Sequence, residues 1–146
     1  MLERFAKVLL IGSLTALLTH AQARPAAAAP FTDKNLEAAV RAVLQDTKAA
    51  LTDDALAKVY VLEASGKGIR DLAGLEKCKN LSQAKLSNNA IVDLKPLKGL
   101  TDLQSLDLSG NKVADVTPLA GLTKLQYLEL SNNQVAKVDA LAKLTS

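Results

Sequence analysis

Hydrophobic positions recur every 22 residues over the second half of the chain. Units 81–102, 103–124 and 125–146 open with LSQAKLSNN, LQSLDLSGN and LQYLELSNN, and their leucines, asparagines and later Ile or Val positions coincide on superposition. A degenerate repeat precedes them at 59–80, where Lys67 replaces the asparagine. A fixed period of this length is typical of a repeat array in which each unit buries an apolar face against its neighbours.

Each unit begins with an alternation of apolar and polar residues. In the LQSLDLS segment, Leu106 and Leu108 alternate with Ser and Asp. An apolar residue at every second position predicts a short strand with one buried face. We expect this strand to pair in parallel with the strand 22 residues away. The chain then returns through inward-pointing residues such as Val113, and Thr117-Pro118 fits the first turn of a short helix that Thr117 would cap. The predicted fold is an α/β solenoid of parallel strands.

One asparagine per unit follows the predicted strand, where the backbone loses its ladder partners. Asn89, Asn111 and Asn133 hold this position. A buried Asn side chain offers donors and an acceptor, so we expect these residues to form a hydrogen-bond ladder along the array. An unsatisfied buried polar group costs about 1–3 kcal/mol, so Asn111→Ala should lower stability by about that amount. Because the scaffold requires these asparagines, their spacing does not indicate catalysis.

Residues 31–58 change to a helical period. Leu36 and Val40 lie on one side of a helix predicted from about Lys34 to Gln45, with Thr32 or Asp33 as its N-cap. A second short helix is predicted to begin at Thr52. We interpret 31–58 as a helical cap over the open end of the array, although a membrane-surface or partner-binding helix is the alternative.

Residues 1–30 have the order of an exported leader. A short basic region with Arg4 and Lys7 precedes an apolar stretch, which ends before the A-x-A site at 21–23. These features predict a signal peptide at 1–23, cleaved within 23–29, followed by an Ala/Pro-rich spacer at 24–30. The apolar stretch is shorter than the roughly 20 residues of a membrane-spanning helix, so we expect no stable span after cleavage. An uncleaved anchor and a cytosolic chain remain the alternatives to a secreted or periplasmic protein.

The composition of the chain limits the kind of core, the class of partner and the cysteine chemistry that it can have. Hydrophobic residues make up 49% of the chain but only two Phe and two Tyr are present, so the core should be aliphatic. A net charge of +3 is too small to indicate nucleic-acid binding. Cys78 is the only cysteine, which excludes an intramolecular disulfide, and it aligns with repeat leucines. We interpret it as a small buried hydrophobic residue, with a reactive or intermolecular thiol as the alternative.

No catalytic, cofactor or metal site is indicated. The single His lies in the leader, and no Gly-rich phosphate loop or metal-ligand spacing occurs. Asp71, Asp93 and Asp115 recur every 22 residues, which favours a role in turns over a catalytic pair. We therefore expect a protein that is not an enzyme and needs no cofactor.

The motif L-x-x-L-x-L-x-x-N-x-I/V-x-D-x-x-P-L-x-x-L is nearly intact in units 81–102 and 103–124. It resembles the leucine-rich repeat proteins, and within them the bacterial internalin-type subclass with 22-residue repeats; the resemblance extends over 31–146. It implies a horseshoe segment with parallel strands on its concave face and an N-terminal helical cap. It also implies recognition of a protein partner through that face. A cytosolic phosphatase-regulator type of repeat is a less favoured alternative because of the leader.

Solvent-facing strand positions are the candidate partner-binding residues. Tyr127 is the one aromatic residue expected on the surface, and aromatic residues are enriched at binding hot spots. A neighbouring serine column (65, 87, 109 and 131) is expected to serve the adjacent turn. Aligned across the four predicted strands, the other solvent-facing residues form two more columns, and these supply the candidates. They are Val61, Glu63, Gln83, Lys85, Ser105, Asp107, Tyr127 and Glu129.

The last unit suggests a different function. Its apolar residues should lack a neighbour on one side, and an exposed apolar edge with an unpaired strand favours association. The alternative to recognition is therefore a self-associating structural unit, or a truncated piece of a longer array.

Overall fold

The computed structural model describes residues 30–144. The predicted signal peptide at 1–23, and the spacer apart from Pro30, lie outside the described residues. Two helices, α1 (Lys34–Leu44) and α2 (Asp53–Leu56), precede four three-residue strands. The strands are β1 (Val61–Glu63), β2 (Gln83–Lys85), β3 (Ser105–Asp107) and β4 (Tyr127–Glu129), and a 3₁₀ helix follows each one, at Leu75–Lys77, Lys95–Leu97, Thr117–Gly121 and Asp139–Lys143.

The strands form one parallel sheet in the order β1-β2-β3-β4, with partners 22 residues apart. Because each connection returns to the same level of the next repeat, the side chains behind the sheet stack in aliphatic layers. Leu62, Ala84 and Leu106, at the centres of the first three strands, are completely buried. The predicted parallel solenoid with an aliphatic core is confirmed.

An aspartate closes the turn before each of the first three 3₁₀ helices. Asp93 Oδ1 accepts a hydrogen bond from the Lys95 N–H at 2.8 Å, and Asp115 Oδ1 accepts one from the Thr117 N–H at 2.8 Å. The expected turn role of these aspartates is confirmed. The expectation that Thr117 caps its own helix is wrong, because Val116 is the N-cap residue and the helix has no side-chain cap. The Leu119 N–H, a donor that a Thr117 cap would satisfy, instead donates to the Val116 carbonyl at 3.0 Å.

Helix α1 agrees with the predicted helix, and Asp33 is its N-cap. One oxygen of Asp33, Oδ1, accepts hydrogen bonds from the Asn35 and Leu36 N–H groups at 2.8 and 3.2 Å. The other oxygen accepts the Arg70 N–H at 2.8 Å, which lies in the first repeat. Helix α2 is capped by the Thr52 hydroxyl, as predicted. Asp33 therefore starts the helix and joins it to the array.

The chain just before α1 is packed tightly on the first repeat. Phe31 is only 4% exposed. Gly74 has φ +100°, and a Cβ built there would lie 2.2 Å from the Pro30 carbonyl oxygen. The Thr32 hydroxyl donates to Asp71 Oδ2 at 2.5 Å. Residues 30–33 are thus part of the folded unit. Their backbone crosses the repeat at Gly74, where any side chain with a Cβ would collide with it.

Candidate functional site

The parallel register brings all eight candidate residues onto the solvent side of the sheet, a surface called here the strand face. One column contains Val61, Gln83, Ser105 and Tyr127, and the other contains Glu63, Lys85, Asp107 and Glu129. Each residue is the Cα partner of the next along its column. The predicted alignment is therefore present, while the binding role of these residues stays a prediction.

Exposed apolar side chains lie at both ends of the first column. Val61 is 41% exposed and Tyr127 is 53% exposed, whereas Gln83 and Ser105 between them are half-buried. Tyr127 is not the only aromatic residue at the surface, because Tyr60 is 56% exposed. Tyr60 precedes β1, where the L-x-x-L motif leaves two adjacent residues outside the core. The alternation of buried and exposed residues does not extend to that position. The L-x-x-L motif is the sequence feature from which the exposure of Tyr60 could have been predicted.

An ion pair joins the first two members of the charged column. Lys85 Nζ lies 2.8 Å from Glu63 Oε1 across β1 and β2. The hydrogen bond and the charge of Lys85 lower the pKa of the Glu63 carboxyl, and the same contact raises the pKa of Lys85. This half of the column carries no net charge.

The other two members, Asp107 and Glu129, form no ion pair within residues 30–144, although Lys85 is the register partner of Asp107. Burial acts to raise the pKa of Asp107, but hydrogen bonds from the Ser109 hydroxyl and N–H, together with Lys85, bring it below its ordinary value. Hydrogen bonds from Ser131 lower the pKa of Glu129, and the negative charge of Asp107 opposes them. Both side chains are therefore ionised at neutral pH.

Hydroxyls of the serine column bond other side chains, so the expected role of this column in the turns stays a prediction. Ser87 Oγ donates to Ser65 Oγ at 2.9 Å, and Ser109 Oγ donates to Asp107 Oδ1 at 2.6 Å. The serines hold one another and the neighbouring carboxylate in place.

The asparagine ladder behind the face is present. The Asn111 side chain donates to the Leu86 and Leu108 carbonyls at 2.9 and 2.8 Å and accepts the Ile91 N–H at 3.0 Å. Asn89 and Asn133 repeat this pattern on either side. Every polar atom of these amides is committed to the backbone of two repeats, so the ladder holds the strands in register.

Cys78 is completely buried, as predicted. Burial, aided by the charge of Glu76, raises the pKa of its thiol to about 11. Within residues 30–144, no group of three or more His, Cys, Asp or Glu side chains could hold a metal ion. In the same part of the chain, no helix has the length and apolar character needed to cross a membrane.

Comparisons with known proteins agree with this geometry. A family model described as leucine-rich repeats (2 copies) matches residues 84–121, and a search of curated proteins yields no match. An internalin (inlF) from Listeria monocytogenes has a TM-score of 0.78 and 32% identity over 80% of this chain. The functional domain of InlJ from the same species has a TM-score of 0.67 and 32% identity over 75% of this chain.

These relatives are much longer proteins. The chain spans 35% of the internalin (inlF) chain and 24% of the InlJ chain. Internalin C2 (inlC2), also from Listeria monocytogenes, is 27% identical with a TM-score of 0.50, and 72% of its chain is covered. The repeat period, the parallel register and these matches together show that the chain is a leucine-rich repeat protein of the bacterial internalin type.

Proposed function

We propose that this protein is exported and binds a protein partner through its strand face, the concave face of the solenoid. The observation that carries the proposal is the contrast between the two sides of the sheet. Inward strand positions hold only Leu or Ala in every repeat, whereas outward positions change from Val to Gln, Ser and Tyr, or from Glu to Lys, Asp and Glu. Repeats that share a core and differ on one face are suited to recognition.

The dimensions of the strand face suit contact with another protein. Neighbouring strands lie roughly 4.8 Å apart, so four side chains of one column extend over about 14 Å. The charged column is held by the Glu63–Lys85 ion pair and by the serine hydrogen bonds. A surface with fixed side chains loses little conformational entropy on binding, which favours affinity.

Export is the second part of the proposal, and the leader supports it. A basic start, a short apolar stretch and the A-x-A site at 21–23 are the features of a secretory signal. The internalin-type fold agrees with this location. Sequencing the N-terminus of protein recovered outside the cytoplasm should place cleavage within 23–29; an intact N-terminus recovered only from the cytoplasm would reject export.

A paired-variant binding experiment tests the strand face. The full chain, immobilised, is incubated with the extracytoplasmic fraction of the producing organism, and captured proteins are compared between variants. Tyr127→Ala combined with Lys85→Ala should abolish capture. The matched control combines Val92→Ala with Lys98→Ala, which removes one exposed apolar residue and one lysine outside the strand face.

Thermal unfolding must accompany this comparison. Tyr127 and Lys85 are exposed, and the one ion pair that the substitutions remove is Lys85 with Glu63. An exposed ion pair contributes about 0–1 kcal/mol, so the melting temperature should hardly change. Capture that survives in the Tyr127/Lys85 variant but is lost in the Val92/Lys98 variant would place the site on another surface.

A second candidate function is self-association through the last repeat. Val138 is 58% exposed, and Leu128, Leu130, Val135 and Leu141 are only partly buried, unlike their counterparts in earlier repeats. In residues 30–144, β4 has a strand on one side only. Light scattering over a wide concentration range would show concentration-dependent dimers if this edge associates, and a constant monomer mass would argue against it.

A further inference from the structure

The C-terminal half of the strand face differs in charge from the N-terminal half. Ser105 and Asp107 on β3 face Tyr127 and Glu129 on β4, each pair in direct register. These four residues are called here the β3–β4 patch. Adjacent strands are roughly 4.8 Å apart, so the register places two carboxylates side by side on one surface. Like charges opposite each other are unfavourable unless a cation lies between them.

The fold neutralises the first carboxylate of the column but not the last two. Glu63 has Lys85 at 2.8 Å. The carboxylates that form ion pairs within residues 30–144 are Glu37, Asp53, Glu63, Asp93 and Asp102. Neither acid of the β3–β4 patch belongs to this set. The same column thus contains one ion pair and, next to it, two carboxylates that form no ion pair, with the single charge of Lys85 shared between Glu63 and its register partner Asp107.

Both carboxylates are held in fixed positions. Asp107 Oδ1 accepts hydrogen bonds from the Ser109 N–H at 2.9 Å and from its hydroxyl at 2.6 Å. Glu129 Oε1 accepts the Ser131 N–H at 3.0 Å. Each carboxylate has two oxygens and several lone pairs, so a carboxylate oriented in this way can still accept a further donor. The side chains need little rearrangement to receive a cation.

An aromatic ring borders the carboxylates. Tyr127 lies two residues before Glu129 on the same side of β4 and is 53% exposed. Its register partner is Ser105, whose small side chain has too little bulk to cover the ring. A ring beside two anions can take the aliphatic stem of a long side chain, or the flat face of a guanidinium, while the charge reaches the carboxylates.

We infer that the β3–β4 patch binds an arginine side chain of the protein partner, with the guanidinium between Asp107 and Glu129 and its stem against Tyr127. The inference rests on the proposed function, since it assigns chemistry to part of the same strand face. Charge complementarity selects a cation. Arginine fits better than lysine because its planar group presents five donors, can bond two carboxylates at once and stacks on aromatic rings.

Two peptides that differ only in charge provide the test. The ¹⁵N-labelled full chain is titrated with acetyl-Ala-Leu-Arg-Ala-Ala-amide and with the same peptide carrying citrulline, a neutral isostere of arginine. The arginine peptide should bind at least about tenfold more tightly, with the largest chemical-shift changes at 105–107 and 127–129. Equal affinities for the two peptides, or shift changes confined to other residues, would overturn the inference.

Isosteric variants assign the effect to the two acids. Asp107→Asn combined with Glu129→Gln keeps the side-chain shapes and an acceptor for each serine but removes both charges. In this variant the preference for arginine over citrulline should fall to within twofold. Asp54→Asn is the matched control, because it removes one exposed carboxylate on α2, outside the strand face, and it should retain the preference. Retention in the double variant would overturn the inference.

The outcome for the proposed function remains separate. If the Asp107/Glu129 variant still captures the extracytoplasmic partner while the Tyr127/Lys85 variant does not, the strand face binds its partner without an arginine in the patch, and the inference fails alone. If both variants capture the partner as well as the wild type does, the strand-face proposal and the inference fail together.

Discussion

Replacing Asn111 with alanine tests the hydrogen-bond ladder that connects neighbouring repeats. The side chain is 7% exposed and bonds backbone groups of two consecutive repeats. Its removal has unequal consequences for its partners. The Leu86 and Leu108 carbonyls each retain a hydrogen bond from a neighbouring asparagine, at 2.9 and 2.8 Å. The Ile91 N–H loses its acceptor, and it is buried.

The expected magnitude follows from this difference. One buried N–H left without a partner costs about 1–3 kcal/mol. The two carbonyls, each losing one of two donors, add a smaller cost. We therefore expect Asn111→Ala to lower the free energy of unfolding by about 2–3 kcal/mol, in the upper part of the range that an orphaned group alone would produce.

The assay is urea unfolding followed by far-UV circular dichroism, since the chain contains no Trp. The transition midpoint should fall while the slope stays constant, because the folded state keeps its buried area. Asn133→Ala is the matched control: it makes the same bonds in the last repeat but is only half-buried, so water can replace them and the loss should be smaller. A loss below about 0.5 kcal/mol for Asn111→Ala, or a larger loss for Asn133→Ala, would refute the ladder as the source of stability.

Two further predictions concern the cap and the thiol. Gly74→Ala should destabilise the fold by about 1–3 kcal/mol, because the backbone has φ +100° and the new Cβ would meet the Pro30 carbonyl oxygen, whereas Gly99→Ala, which has open space, should change stability by less than about 0.5 kcal/mol in the same urea assay. Cys78, buried and with a thiol pKa of about 11, should react with a disulfide reagent at pH 8 only after urea unfolds the chain. Immediate labelling of the folded protein would contradict its burial.

Most of the repeat architecture could be predicted because the apolar and asparagine positions recur at the same spacing in each repeat. The alternation around Leu106 identified the strands, and the shared spacing of Asn89, Asn111 and Asn133 identified the ladder. Cys78 was assigned to the core from its place in a leucine column. In a solenoid, each unit contacts mainly its neighbours, so a local pattern and a constant offset are enough to place the core and the strand register.

The errors occurred where a position has more than one neighbour to satisfy. Thr117 looks like a helix cap, but the Leu119 N–H that it would accept already donates to the Val116 carbonyl. Tyr60 lies just before β1, where the period of two no longer applies, so its exposure was missed. The second role of Asp33, as acceptor for the first repeat, could not be inferred from helix-start rules, because these rules consider only the first turn of the helix.

The 22-residue period alone was sufficient to specify the parallel strands, the aliphatic core and the two columns of the strand face, since these depend on spacing along the chain. Only the tertiary structure decided which charges find a partner. Lys85 forms an ion pair with Glu63, while Asp107 and Glu129 lie side by side and form none, and residues 30–33 cross the repeat at Gly74. These contacts join residues about 20 or more positions apart, and side-chain reach and backbone crossing, which no linear pattern encodes, determine them.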